Sequence, residues 1–75
     1  MNYTVDTTAL QKAMIDANIR TYTELSEKTG VNRNTIADIV KGESKPSTIV
    51  IEKISKALNL ESAEVGRIFF NSQLA

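Results

Sequence analysis

The chain has 75 residues, enough for a single domain, and its nine basic and nine acidic side chains give a net charge of zero. Hydrophobic residues make up 41% of it, which excludes intrinsic disorder and predicts a compact core. Cysteine and histidine are absent, which excludes disulfides, thiolate nucleophiles and zinc chemistry, so we expect no metal and no cofactor. Apolar runs such as residues 49–51 are far too short to span a membrane, and the N-terminus does not resemble a signal peptide, so we expect a cytoplasmic protein.

Apolar residues at three- and four-residue spacing predict an all-α domain of five helices. The helices are expected over residues 7 or 8–17, 22–29, 33–41, 48–58 and 62–69. A flexible, extended arm is expected before them over residues 1–6, and a tail after them over residues 71–75.

Residues 21–42 predict two short helices joined by a tight turn. Thr21 and Glu24 have the spacing of a capping box, in which each side chain accepts a hydrogen bond from a backbone amide at the helix start. Gly30 supplies the backbone freedom that ends this helix, and Asn32 caps the next one. A second helix that begins with Asn-Arg-Asn-Thr is suited to place hydrogen-bonding side chains in a DNA major groove.

The chain contains the segments GVNRNTIADIVKG at residues 30–42 and KPSTIVIEKISKALNL at residues 45–60. In these two segments it resembles the Cro and cI (XRE-like) repressor family. The similarity covers about residues 10–60. It implies a compact five-helix, lambda-repressor-like DNA-binding domain with the helix-turn-helix at helices 2 and 3. Because cI-type repressors carry a further C-terminal domain, the resemblance favours a small Cro-like regulator of a temperate phage or mobile element.

The resemblance also implies which residues contact DNA. The base-reading positions of the family match Asn32, Arg33, Asn34, Thr35 and Asp38. Its phosphate-contacting positions match Lys41 and Lys45. Thr21 and Tyr22 lie near a position where the family often has a phosphate-contacting glutamine, although this chain has one extra residue between Ile19 and Leu25. Arginine can donate two parallel hydrogen bonds to guanine and asparagine can pair with adenine, and each such pair discriminates by about 1–3 kcal/mol. The alternative is that these are solvated residues at an ordinary helix start.

Asp38 and the zero net charge are compatible with a protein partner as well as with DNA. A carboxylate repels phosphate and can accept only from the amino group of cytosine, whereas DNA-binding proteins usually gain affinity from excess Lys and Arg. Asp38 therefore either sharpens base specificity or indicates that this face meets a basic protein.

Ile49 and Val50 lie outside the inward stripe of the fourth helix, and Phe70 and Leu74 add apolar residues after the fifth. Together they predict a dimer or partner patch. Singly exposed hydrophobic residues are the alternative, since they are common on soluble proteins.

The carboxylates are scattered and the three glycines stand singly, so we expect a protein that is not an enzyme. The leading hypothesis is a sequence-specific regulator that binds operator DNA as a homodimer. The main rival is an antirepressor or modulator that binds a partner repressor protein. A third hypothesis, an antitoxin, ranks lower because the sequence has no obvious toxin-binding extension.

Overall fold

A computed structural model describes residues 3–72 of the chain. Within that range the chain forms five helices and a two-stranded ribbon. In chain order these are β1 (Tyr3–Thr4), α1 (Thr7–Asp16), α2 (Tyr22–Thr29), α3 (Arg33–Val40), α4 (Thr48–Ala57), α5 (Ser62–Phe69) and β2 (Asn71–Ser72). The predicted five-helix class is confirmed, and the predicted helix bounds differ from the observed ones by one residue at most.

Helices α1 to α4 each begin at a residue whose side chain accepts a hydrogen bond from a first-turn amide, which satisfies a donor that has no partner within the helix. The capping residues are Asp6, Thr21, Asn32 and Ser47, bonded to the amides of Ala9, Glu24, Asn34 and Val50. These short-range bonds explain why the local sequence predicts the helix starts so closely.

The core is largely aliphatic and joins all five helices. Its most deeply buried side chains are Leu10, Ile19, Leu25, Ile36, Ile39, Val40 and Ile54. Helix α2 packs against α3 and α4, while α1 packs against α3 and α5. No polar or charged side chain within the described residues is buried, so the core contacts α3 through its apolar side chains and leaves its polar face outside.

The first described residues pair with the last ones. Strand β1 lies antiparallel to β2, with Tyr3 opposite Ser72 and Thr4 opposite Asn71. The amide of Asp6 donates to the carbonyl of Ile68 at 2.7 Å. Where a flexible arm was expected, the described part of it is thus held against the end of α5, because α1 and α5 pack side by side and bring the two chain ends together.

None of the helices within the described range has the length and apolar character needed to cross a bilayer.

Candidate nucleic-acid interface

The turn between α2 and α3 is fixed by polar groups of α2. Gly30 ends α2 with a φ of 76°, in the left-handed region, and its amide donates to the carbonyl of Ser26. The hydroxyl of Ser26 donates to the carbonyl of Val31, and the amide of Val31 donates to the Thr29 hydroxyl at 3.1 Å. Both backbone groups of Val31 are therefore bonded to α2, which sets the direction in which the chain enters α3.

Apolar packing beneath the turn sets the rotation of α3 about its own axis. Leu25 of α2 and Ile36 of α3 have no exposed surface, and Val31 between the helices is 8% exposed. Because Ile36, Ile39 and Val40 face this core, the opposite side of α3 must face outward.

The outer side of α3 carries most of the predicted base-reading residues. Asn34, Asp38 and Lys41 follow one another at helical spacing along this face, and all three are exposed. Arg33 and Thr35 are also exposed, and the helical period puts them on opposite flanks of the same face.

Ala37, which was not singled out by the sequence, lies one turn after Arg33 on the flank of this face. It is half-buried, and its methyl side chain leaves room for a surface to approach the helix between the first and second turns. An alanine carries no polar signal in a sequence, so only the observed orientation of α3 reveals its place.

Side chains at the start of α3 already make bonds within the protein. The Asn32 Oδ1 accepts from the amide of Asn34 at 2.8 Å, so the Asn32 side chain retains its amide nitrogen as a donor. The Arg33 Nε donates to the Thr23 hydroxyl of α2 at 3.1 Å. The sequence reading did not identify Thr23, because the bond joins residues ten positions apart on different helices.

The predicted phosphate-contacting residues lie at two separate places. Thr21 and Tyr22 stand at the start of α2, whereas Lys41 ends α3 and Lys45 lies in the following loop. Both lysines are exposed, and Lys41 lies about 12 Å from Arg33 along the α3 axis, given a rise of about 1.5 Å per residue.

Thr21 and Tyr22 already interact with other residues of the protein. The Thr21 hydroxyl accepts from the amide of Glu24 at 3.0 Å and donates to the Glu24 Oε1 at 3.3 Å. Glu24 Oε1 also accepts from the backbone amide of Arg20. The predicted hydrogen bond from the helix start back to Glu24 is thus donated by the amide of Arg20. Tyr22 is half-buried against the core.

A family model for helix-turn-helix proteins matches residues 10–65. The chain belongs to the helix-turn-helix family. This confirms the predicted helix-turn-helix family, whereas the Cro and cI type and the phage-switch role stay predictions.

The helix-turn-helix chain is 43% identical over 44 residues to an uncharacterized HTH-type transcriptional regulator of Methanothermobacter thermautotrophicus. The alignment covers 59% of this chain and 64% of that protein. The chain therefore matches less than two thirds of the length of this relative. No solved structure matches the helix-turn-helix chain significantly.

The predicted apolar patch of the helix-turn-helix domain is partly exposed. Ile49 is 65% exposed and Phe70 is 47% exposed, while Val50 is half-buried against the core. Leu74 lies outside the described residues. The structure therefore offers Ile49 as the most accessible described member of the patch.

A second apolar site, which the sequence reading missed, lies at the end of α1. Ile15 is 72% exposed and borders a surface cleft of about 490 Å³, which Arg20, Tyr22 and Val40 also line. Ile15 falls outside the inward stripe of α1, and such isolated hydrophobic residues are common on protein surfaces.

Proposed function

We propose that the protein is a DNA-binding transcriptional regulator whose α3 enters the major groove. The observation that carries this proposal is the polar outer face of α3, with Arg33 and Asn34 exposed in its first turn and held there by the bonded α2–α3 turn. The name of the Methanothermobacter relative, a transcriptional regulator, supports the same role.

The base-reading chemistry follows from the donors and acceptors in the first turns of α3. The Arg33 guanidinium suits the two acceptors of guanine, and the Asn34 amide suits the acceptor and donor of adenine. Thr35 offers a methyl to thymine, Asn32 an amide donor, and Asp38 an acceptor for the amino group of cytosine. These residues would specify the site.

Phosphate contacts would orient the protein on the duplex without reading sequence. Lys41 and Lys45 are exposed beyond the C-terminal end of α3 and suit this role. At the other end, Tyr22 and Thr21 lie at the start of α2, where backbone amides favour an anion. The Thr21 hydroxyl would have to exchange its bond to Glu24 for a phosphate oxygen.

Because the net charge is zero, non-specific binding should be weak and the base contacts should contribute much of the affinity. The test is fluorescence anisotropy with labelled DNA flanking the gene, at two salt concentrations and with competitor DNA. We expect saturable binding of nanomolar strength that weakens with salt and survives the competitor. Micromolar or absent binding would contradict autonomous regulation.

We also propose that the protein binds as a homodimer on half-sites about one helical turn, roughly 34 Å, apart, as a Cro-like regulator of a phage-type switch. The exposed Ile49, with Phe70 and Val50, supports a protein contact, and Leu74 belongs to the same proposal. Sedimentation of the wild type and of Ile49→Glu tests it. An unchanged oligomeric state in the variant would rule out this patch as the dimer contact.

The second candidate function is a modulator or antirepressor that binds a partner repressor. The exposed Asp38 on the outer face of α3 favours it, since a carboxylate suits a basic protein surface better than a phosphate backbone. Asp38→Asn separates the two functions when tested by calorimetry with a repressor encoded beside the gene and by anisotropy with DNA. Weaker repressor binding by the variant supports the modulator, whereas a changed base preference supports the regulator.

A further inference from the structure

A hydrogen bond between α2 and α3 holds the side chain of Arg33. The Nε donates to the Thr23 Oγ1 at 3.1 Å, although both side chains are exposed. An unrestrained arginine has about 2 kcal/mol of rotamer entropy to lose when it is fixed. The bond to Thr23 restricts that freedom before any ligand arrives.

The bond also determines which donors of the guanidinium remain. An arginine has five N–H donors, one on Nε and four on the two Nη atoms. With the Nε–H of Arg33 bonded to Thr23, the parallel pair left for a bidentate contact is the one on Nη1 and Nη2.

We propose that Thr23 is a positioning residue that presents Arg33 to guanine end-on, through Nη1 and Nη2, and not side-on through Nε. This inference rests on the proposed function, because it concerns how the same helix reads its site. Thr23 acts through Arg33 and makes no base contact itself. Its substitution should therefore reduce discrimination at one base pair and leave non-specific binding nearly unchanged.

Two substitutions of Thr23 separate its hydroxyl from its shape. Thr23→Val keeps the branched side chain and removes the hydroxyl, whereas Thr23→Ser keeps the hydroxyl and removes the methyl. Because Thr23 is exposed, neither change disturbs the core, and urea unfolding of both variants checks this.

The DNA test measures the ratio of two affinities. The first is the affinity for the operator located by footprinting, and the second is the affinity for the same site with 7-deazaguanine in place of the guanine that Arg33 contacts. In an Arg33 background, Thr23→Val should lower this ratio by up to about thirtyfold, the factor that corresponds to the full rotamer entropy of an arginine, while Thr23→Ser should retain it. In an Arg33→Ala background, Thr23→Val should change nothing. An equal loss in both backgrounds would overturn the proposal, because Thr23 would then contact the phosphates directly.

A second measurement needs no DNA. In the free protein, the Arg33 Nε–H signal in an NMR spectrum should exchange with water more slowly than those of the exposed Arg20 and Arg67. Thr23→Val should abolish the difference and Thr23→Ser should keep it. An Arg33 signal that matches those of Arg20 and Arg67 in the wild type overturns the positioning role whatever the DNA result.

The two measurements distinguish failure of this inference from failure of the proposed function. Slow exchange at Arg33 together with no DNA binding overturns the proposed function. The hydrogen bond between Thr23 and Arg33 would then only connect α2 and α3. Specific DNA binding with fast exchange at Arg33 keeps the proposed function and overturns the role of Thr23.

Discussion

At the scale of single residues, α3 carries exposed residues suited to binding on its outer face and buried residues needed for folding on its inner face. Arg33, Asn34 and Asp38 are exposed, whereas Ile36 and Ile39 on the same helix are buried. Exposed substitutions away from caps usually change the free energy of unfolding by less than about 0.5 kcal/mol. Substitutions on this face should therefore change affinity without changing stability.

Arg33→Ala should weaken binding to the specific site by about 1–3 kcal/mol, because it removes a bidentate contact to a base. Anisotropy titrations measure the loss. Arg67→Ala is the matched control, since Arg67 is an exposed arginine on α5, outside the proposed interface. Near-normal operator binding by Arg33→Ala would contradict α3 as the recognition helix.

Lys41→Ala should have a different signature. If Lys41 contacts a phosphate, its loss weakens binding to all sequences alike and lowers the slope of log affinity against log salt by about 1. Titrations of specific and random DNA over a range of salt concentrations test this. A loss confined to the specific site would instead place Lys41 at a base edge.

At the scale of elements, the two ends of α3 depend on its neighbours. Its start is capped by Asn32 and directed by the bonds of Val31 to α2. After its end, Gly42 has a φ of 78°, and a Cβ placed there would lie 3.0 Å from the Thr7 Cγ2 of α1. The position of α3 thus depends on close approach to α1 as well as on the core.

Gly42→Ala should lower the free energy of unfolding by about 1 kcal/mol or more, because alanine is disfavoured at positive φ and its methyl would crowd Thr7. Gly66→Ala is the matched comparison, since Gly66 lies within α5 and a Cβ there meets nothing within 4 Å. That change should raise stability by about 0.5–1 kcal/mol through helix propensity. Urea unfolding of the two variants measures both effects, and effects of the same sign would contradict the argument.

At the scale of the whole molecule, the ribbon of β1 and β2 joins the two ends of the described chain. A chain of 75 residues can form only a small core, so a few additional long-range bonds matter to its stability. The ribbon and the bond from Asp6 to Ile68 also keep α1 beside α5. The five helices, including the outer face of α3, should therefore unfold together in one cooperative transition.

Deletion of residues 1–5 should lower the free energy of unfolding by about 1–2 kcal/mol, because it removes the ribbon while keeping the Asp6 cap of α1. Thermal unfolding followed by circular dichroism measures the loss. Affinity for DNA, measured well below the melting temperature, should stay the same. Unchanged stability of the deletion variant would contradict the role of the ribbon and would instead favour the flexible arm that the sequence predicted.

The sequence by itself determined the features that depend on near neighbours in the chain. Helix bounds, the caps at Thr21 and Asn32, and the buried stripe of α3 all rest on spacings of two to four residues, which short-range sterics and hydrogen bonds enforce. Only the tertiary structure decided the pairing of Thr4 with Asn71 and the bond between Thr23 and Arg33. Those contacts exist because packing of the helices brings distant residues together, and no local pattern encodes that approach.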